Sequence, residues 1–143
     1  MENIKLSDNE LNAVSGGMGG AEVVASGSFA SNSGTNLNLV VNWSVVSEAT
    51  GQRTLQVAVS TTSYALVSAE LYNGVQMTLN GVTYSSNSRA INYRGTAMAT
   101  HPLAYFSVPN YQGPAAISVV FHFNGTLSGR PVNDIVATGT ITA

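Results

Sequence analysis

Leu37-Asn38-Leu39-Val40-Val41-Asn42-Trp43-Ser44-Val45 decides the fold. Leu37, Leu39, Val41, Trp43 and Val45 fall on every second residue, with Asn38, Val40, Asn42 and Ser44 between them. Successive side chains of an extended chain point to opposite faces, so this alternation predicts a half-buried strand with the tryptophan on its inner face.

Outward from that strand the same period recurs. Leu55, Val57 and Val59 follow a turn around Ala49-Thr50-Gly51-Gln52, and Val75, Met77 and Leu79 follow them. Asn80-Gly81 is the strongest hairpin signal in the chain, because both residues accept the positive φ of a type I′ turn; Val82 and Tyr84 start the returning strand. Ile91 and Tyr93 form a short strand, and Leu103 and Tyr105, with Ser107 beyond them, form another. Pro109-Asn110-Tyr111-Gln112-Gly113-Pro114 reads as a loop, since neither proline can donate to a sheet ladder. Ile117, Val119, Phe121 and Phe123 alternate with Ser118, Val120 and His122 up to a second turn at Asn124-Gly125, and Ile135, Ala137, Gly139 and Ile141 form the final strand. Upstream, Val23, Ala25 and Phe29 predict a first strand over residues 21–31, loosened by Gly27. Residues 62–71 suit either a strand or one irregular helical turn.

Roughly eight or nine short strands with regular turn signals predict an all-β fold, an immunoglobulin-like antiparallel β-sandwich over residues 18–143. Its exposed faces are rich in Ser, Thr and Asn. The strand 39–45, the hairpin Val75-Gln76-Met77-Thr78-Leu79-Asn80-Gly81-Val82-Thr83-Tyr84 and the strand from Ile117 to Gly125 resemble the small β-sandwich modules of bacteriophage tail and bacterial surface proteins. That resemblance implies adhesion or assembly and assigns no binding residue.

The first seventeen residues follow a different logic. Ser7 is a good helix N-cap and Glu10 stands three residues later, the spacing of a capping box. Leu6 and Leu11 can staple across the first turn, and Leu11 and Val14 share one helical face, so a short amphipathic helix is expected to end at Gly16-Gly17. Leu6, Glu10, Leu11, Val14, Gly16 and Gly17 together resemble the double-glycine leader of bacteriocin-type peptides. The resemblance implies recognition of Leu6, Glu10, Leu11 and Val14 by a peptidase-containing ABC exporter. Cleavage after Gly17 would release a chain starting at Met18. A second pair, Gly19-Gly20, follows at once, but only the first is correctly spaced from the helix.

Charge and composition narrow the function. Residues 1–17 carry Lys5 against Glu2, Asp8 and Glu10; beyond them Arg53, Arg89, Arg94 and Arg130 balance Glu22, Glu48, Glu70 and Asp134. Four scattered arginines do not build the positive surface that displaces counterions from phosphate, which argues against nucleic acid as a partner. No apolar run is long enough to span a bilayer, so a secreted or cell-surface location after leader cleavage is expected. Without cysteine there is neither a disulfide framework nor a thiolate metal site.

Catalytic constellations are hard to find. His101, in Thr100-His101-Pro102, reads as a turn residue, and His122 points away from Phe121 and Phe123. Neither has a carboxylate at a suggestive spacing, and the four acidic residues are scattered like solubilising charges rather than paired across a sugar. Asn124-Gly125-Thr126-Leu127-Ser128-Gly129 reads as a loop, with no helix behind it to cradle an anion. No enzymatic role, cofactor or metal is expected.

Binding is left. Tyr64, Tyr72, Tyr84, Tyr93, Tyr105 and Tyr111 couple an apolar ring to a hydroxyl, suited to stacking on sugars or anchoring a protein contact. Tyr111, in the proline-rich loop, is the leading ligand-binding residue, with Asn110 and Gln112 beside it as amide donors and acceptors; Tyr84 and Tyr93 read as packing residues at strand ends. The expected function is an exported, non-enzymatic module that works by contact outside the cell, on a polysaccharide or surface protein, or by self-association through strand addition. The alternatives are a large bacteriocin-like toxin and a carbohydrate-binding module.

Overall fold

A computed structural model describes residues 21–31 and 37–143; the leader helix, its recognition residues and both glycine pairs lie outside them. Among the described residues twelve strands occur in this order: β1 (Glu22–Ala30), β2 (Asn38–Ser47), β3 (Arg53–Ser63), β4 (Leu66–Ser68), β5 (Leu71–Leu79), β6 (Val82–Ser88), β7 (Ile91–Asn92), β8 (Ala99–Pro109), β9 (Ala115–Phe121), β10 (Gly125–Leu127), β11 (Arg130–Pro131) and β12 (Ile135–Ile141). Among the described residues there is no helix, and none long and apolar enough to cross a membrane. The fold is all-β.

All pairings are antiparallel. One sheet has the order β1-β2-β3-β8 and a second the order β12-β9-β5-β6; the short strands make a third, β11-β10-β4-β7. In that small sheet β7 is the short strand expected at Ile91 and Tyr93, β4 falls in the segment open to strand or helical turn, and β10 and β11 are not among the strands expected, since strands of two or three residues carry little readable alternation. Leu39, Val41, Trp43, Val45, Leu55, Val57 and Val59 of the first sheet share one buried cluster with Val75, Met77, Ile117, Val119, Phe121, Ala137 and Ile141 of the second. Each fully buried aliphatic side chain contributes about 1.5–3 kcal/mol relative to exposure, so this shared face holds the layers together. The small sheet adds Leu66 and Ile91. Edges meet on both sides, β1 against β12 and β6 against β8.

Local chemistry explains the turns. Asn80 (φ 47°) and Gly81 (φ 88°) both take left-handed backbone between β5 and β6, as a type I′ turn demands. The Asn80 side chain also ties that turn to the start of β9: Oδ1 accepts from the Ala116 N–H at 2.9 Å and Nδ2 donates to the Pro114 carbonyl at 3.3 Å.

Several expectations need correction. Gly27 does not loosen β1. It lies opposite Trp43, and a Cβ added there would sit 2.6 Å from Trp43 Cζ2, so the missing side chain is what lets the strand close over the indole. Residues 62–71 contain no helical turn: β3 continues to Ser63, Ala65 takes φ 44°, and β4 starts at Leu66. Gly125–Leu127 is a strand, because its backbone pairs with β4 and β11, a match between segments far apart in sequence.

His101 lies in β8 rather than in a turn. Pro102 and Pro109 fit this strand because β8 is the sheet edge, where a missing donor costs little. A bulge also changes its phase: Val59 faces Ala104 and Ser60 faces Pro102, leaving Leu103 as the extra residue. Leu103, Phe106 and Val108 therefore point inward and Tyr105 outward, whereas strict alternation from Leu103 places Tyr105 inside.

Candidate functional site

The loop between β8 and β9 brings the three predicted ligand-binding residues to one place. Asn110 (φ 55°), Tyr111 and Gln112 line a shallow cleft of about 440 Å³ with Thr50, Gly51, Gln52 and Arg53 of the β2–β3 turn. The Tyr111 N–H donates to the Arg53 carbonyl at 2.9 Å, which holds the two turns together. Tyr111 itself is only 4% exposed, and its hydroxyl donates to the Ala143 carbonyl at 3.1 Å. Burial raises the phenol pKa above its ordinary value, with Arg53 acting the other way. Its ring is thus a wall of the cleft and a core residue, and the expected exposed stacking surface at Tyr111 is absent. Asn110 and Gln112 are exposed.

Exposed tyrosine rings lie elsewhere. Tyr72 is 80% exposed beside an irregularity in β5, where Asn73 (φ 55°) donates its N–H to Asn87 Oδ1 at 3.0 Å. Tyr105 is 58% exposed in the middle of β8. It borders a depression of about 230 Å³ with Asn42, Ser44, Gln56 and Ala58 of the neighbouring strands. Burial on one side raises its pKa. Tyr93 packs as expected at a strand end, although its hydroxyl donates to the Ala97 carbonyl at 2.8 Å.

One polar cluster escaped sequence reading. His122 Nδ1 stands 2.7 Å from Asp134 Oδ2, and Nε2 stands 3.0 Å from Gln76 Oε1. The pairing of β9 with β12 places Ile135 opposite Phe121, so the preceding Asp134 reaches His122 across the strands, a neighbour no local spacing reveals. Imidazole and carboxylate are 36% and 52% exposed, and an ion pair so open to water contributes little. Both ring nitrogens are occupied, one by the Asp134 carboxylate and the other by the Gln76 amide oxygen. Glu22, Glu48 and Glu70 stay apart from it, and no three metal-ligating side chains gather among the described residues.

A longer cleft of about 520 Å³ lies where β10 and β11 approach β12, with Tyr64, Leu127, Val132 and Ile135 beside Arg130 and Asp134. On β3 and β8, Thr61 Oγ1, Ser63 Oγ and His101 Nε2 are buried without a hydrogen-bond partner among the described residues.

Comparison with protein-family models, with curated proteins and with solved structures returned no match to this chain.

Proposed function

We propose that this chain is an exported, non-enzymatic sandwich that acts outside the cell by contact, as an adhesion, binding or surface-structural module. The observation that carries the reading is where the leader-like motif stops relative to the fold: it ends at Gly17 and β1 starts at Glu22. A peptidase-containing ABC exporter cutting after Gly17 would remove no residue of any described strand. The immunoglobulin-like character belongs to the same proposal. It is supported by β2-β3-β8 facing β12-β9-β5-β6, with the chain crossing between these two large sheets after β3, β6 and β8, partly by way of the small sheet.

The test is to recover the protein from the culture medium of its native host and determine its N-terminus and mass together. A start at Met18 supports the proposal; an intact intracellular chain starting at Met1 overturns it. A bacteriocin-like toxin would use the same leader, and inhibition of related strains by the released chain would favour that alternative.

Self-association by strand exchange is a second form of the reading, favoured by the position of β1. It is an edge strand whose Gly27 and Phe29 fit against Trp43 of β2 and Gly139 of β12, and it carries the exposed Val23 and Val24. Donated to another copy, it would leave a groove that the same segment fills. Oligomers that become monomers when residues 18–31 are deleted would support exchange; an unchanged monomer before and after would count against it.

A further inference from the structure

The outer face of the first sheet holds a surface that the sequence patterns alone did not indicate. Register places Ser28, Asn42, Ala58 and Tyr105 in one row across β1, β2, β3 and β8, and Ser26, Ser44, Gln56 and Ser107 in the next. Their partners in the alternation, Trp43, Val57 and Phe106, are buried, so both rows face outward. Four adjacent strands make each row about 14 Å long. Small Ser and Ala side chains keep the surface low around Tyr105, whose ring stands beside the shallow depression. Neither row contains Asp, Glu, Lys, Arg or His.

We propose that these two rows are a binding face for a neutral polysaccharide, with Tyr105 stacking on a sugar ring and Asn42, Gln56 and Ser44 hydrogen-bonding its hydroxyls. The charge of the face selects this occupant. A polyanion, whether nucleic acid or an acidic glycan, needs cations that neither row supplies. Stable protein contacts are centred on clustered apolar anchors, and this face offers a single aromatic ring among amides and hydroxyls. A neutral sugar has the matching chemistry: an apolar ring face for the tyrosine, and hydroxyls that both donate and accept for side chains that do the same. The third row position, Ala58, lies directly opposite Tyr105 on β3 and leaves the ring face uncovered on that side.

This proposal names the ligand class for the contact function proposed above, and one preparation separates the two. Protein recovered from the native host is sequenced at its N-terminus. It is then run on native gels containing soluble β-glucan, glucomannan, xylan or starch, and mixed with insoluble cellulose and chitin. Retention on at least one neutral polysaccharide is expected, weakly dependent on salt. Tyr105→Ala should weaken it at least tenfold and Ser44→Glu should weaken it too, while Tyr72→Ala, outside both rows, leaves it within about twofold of wild type. An unchanged far-ultraviolet circular dichroism spectrum and cooperative thermal unfolding confirm that Tyr105→Ala is folded. No retention on any of these polymers overturns the proposal. So does full retention by Tyr105→Ala, or retention only on acidic polymers such as alginate. A chain starting at Met18 that passes every polymer sinks the glycan site alone, and an intact intracellular chain that binds sinks the export reading alone.

Discussion

Gly27→Ala tests the packing of β1 most directly. In an ordinary strand this change stabilises by about 0.4–1 kcal/mol, because alanine restricts the unfolded chain. Here the new Cβ would meet Trp43 Cζ2 at 2.6 Å, Cε2 at 2.8 Å and Nε1 at 2.9 Å, about 1 Å inside favourable carbon–carbon separation. Trp43 is 7% exposed, in contact with the core, and has little room to retreat. Forcing a methyl group into such a site costs about 1–3 kcal/mol, so overpacking wins and the net loss is about 0.5–2 kcal/mol. For a chain of this size that lowers Tm by roughly 2–8 °C. Thermal unfolding is followed by far-ultraviolet circular dichroism and, in variants that keep it, by the emission of Trp43, the chain's single tryptophan. The decisive arm is the double variant: with Trp43→Phe as background the clash partner is smaller, so Gly27→Ala should become neutral or stabilising, with a coupling of about 1–2 kcal/mol. A gain in stability from Gly27→Ala alone, or a loss of equal size in both backgrounds, would refute the claim that the indole dictates glycine at this position.

Asn80→Ala should lower stability by about 1–3 kcal/mol in denaturant titration, since it removes two hydrogen bonds to the β9 segment and puts a Cβ-bearing residue without an amide into left-handed backbone. Thr61→Val should be neutral or raise stability by up to about 1 kcal/mol in the same assay, because the hydroxyl it deletes is buried and unpartnered among the described residues. Asp134→Asn is expected to cost less than about 1 kcal/mol, as its imidazole partner and the carboxylate are both open to water. Burial raises the phenol pKa of Tyr105 and Tyr111 in the folded state. Their contribution to stability is therefore complete below the unfolded value of about 10 and is lost as pH rises through the folded values. Alkaline unfolding should accordingly coincide with late tyrosinate absorbance, and free titration of every tyrosine near pH 10 in the native protein would contradict this.

The alternation around Trp43 made the strand and its inner face legible, because period two is a local property of extended backbone. Asn80-Gly81 was legible for the same reason: its turn type depends on two adjacent residues. The short strands β10 and β11 were not, and β4 was readable only as a strand or a helical turn, since at two or three residues the partner strand defines the element. Site prediction divided along the same line. Asn110, Tyr111 and Gln112 do share a cleft, as their adjacency suggested, but which tyrosine presents its ring to solvent was settled by long-range contacts.

From the sequence by itself come the strand faces, the near-absence of charge on the body of the chain, the lack of cysteine and the leader-like motif, all set by neighbouring residues or by composition. Only the tertiary structure decided that the bulge at Leu103 turns Tyr105 outward, that Tyr111 is consumed by its bond to Ala143, that Asp134 meets His122, and that Gly27 is required by Trp43. Register is the physical reason: alternation assigns each side chain to a face, while its neighbours on that face depend on pairing between distant segments, where a shift of one residue exchanges inside for outside.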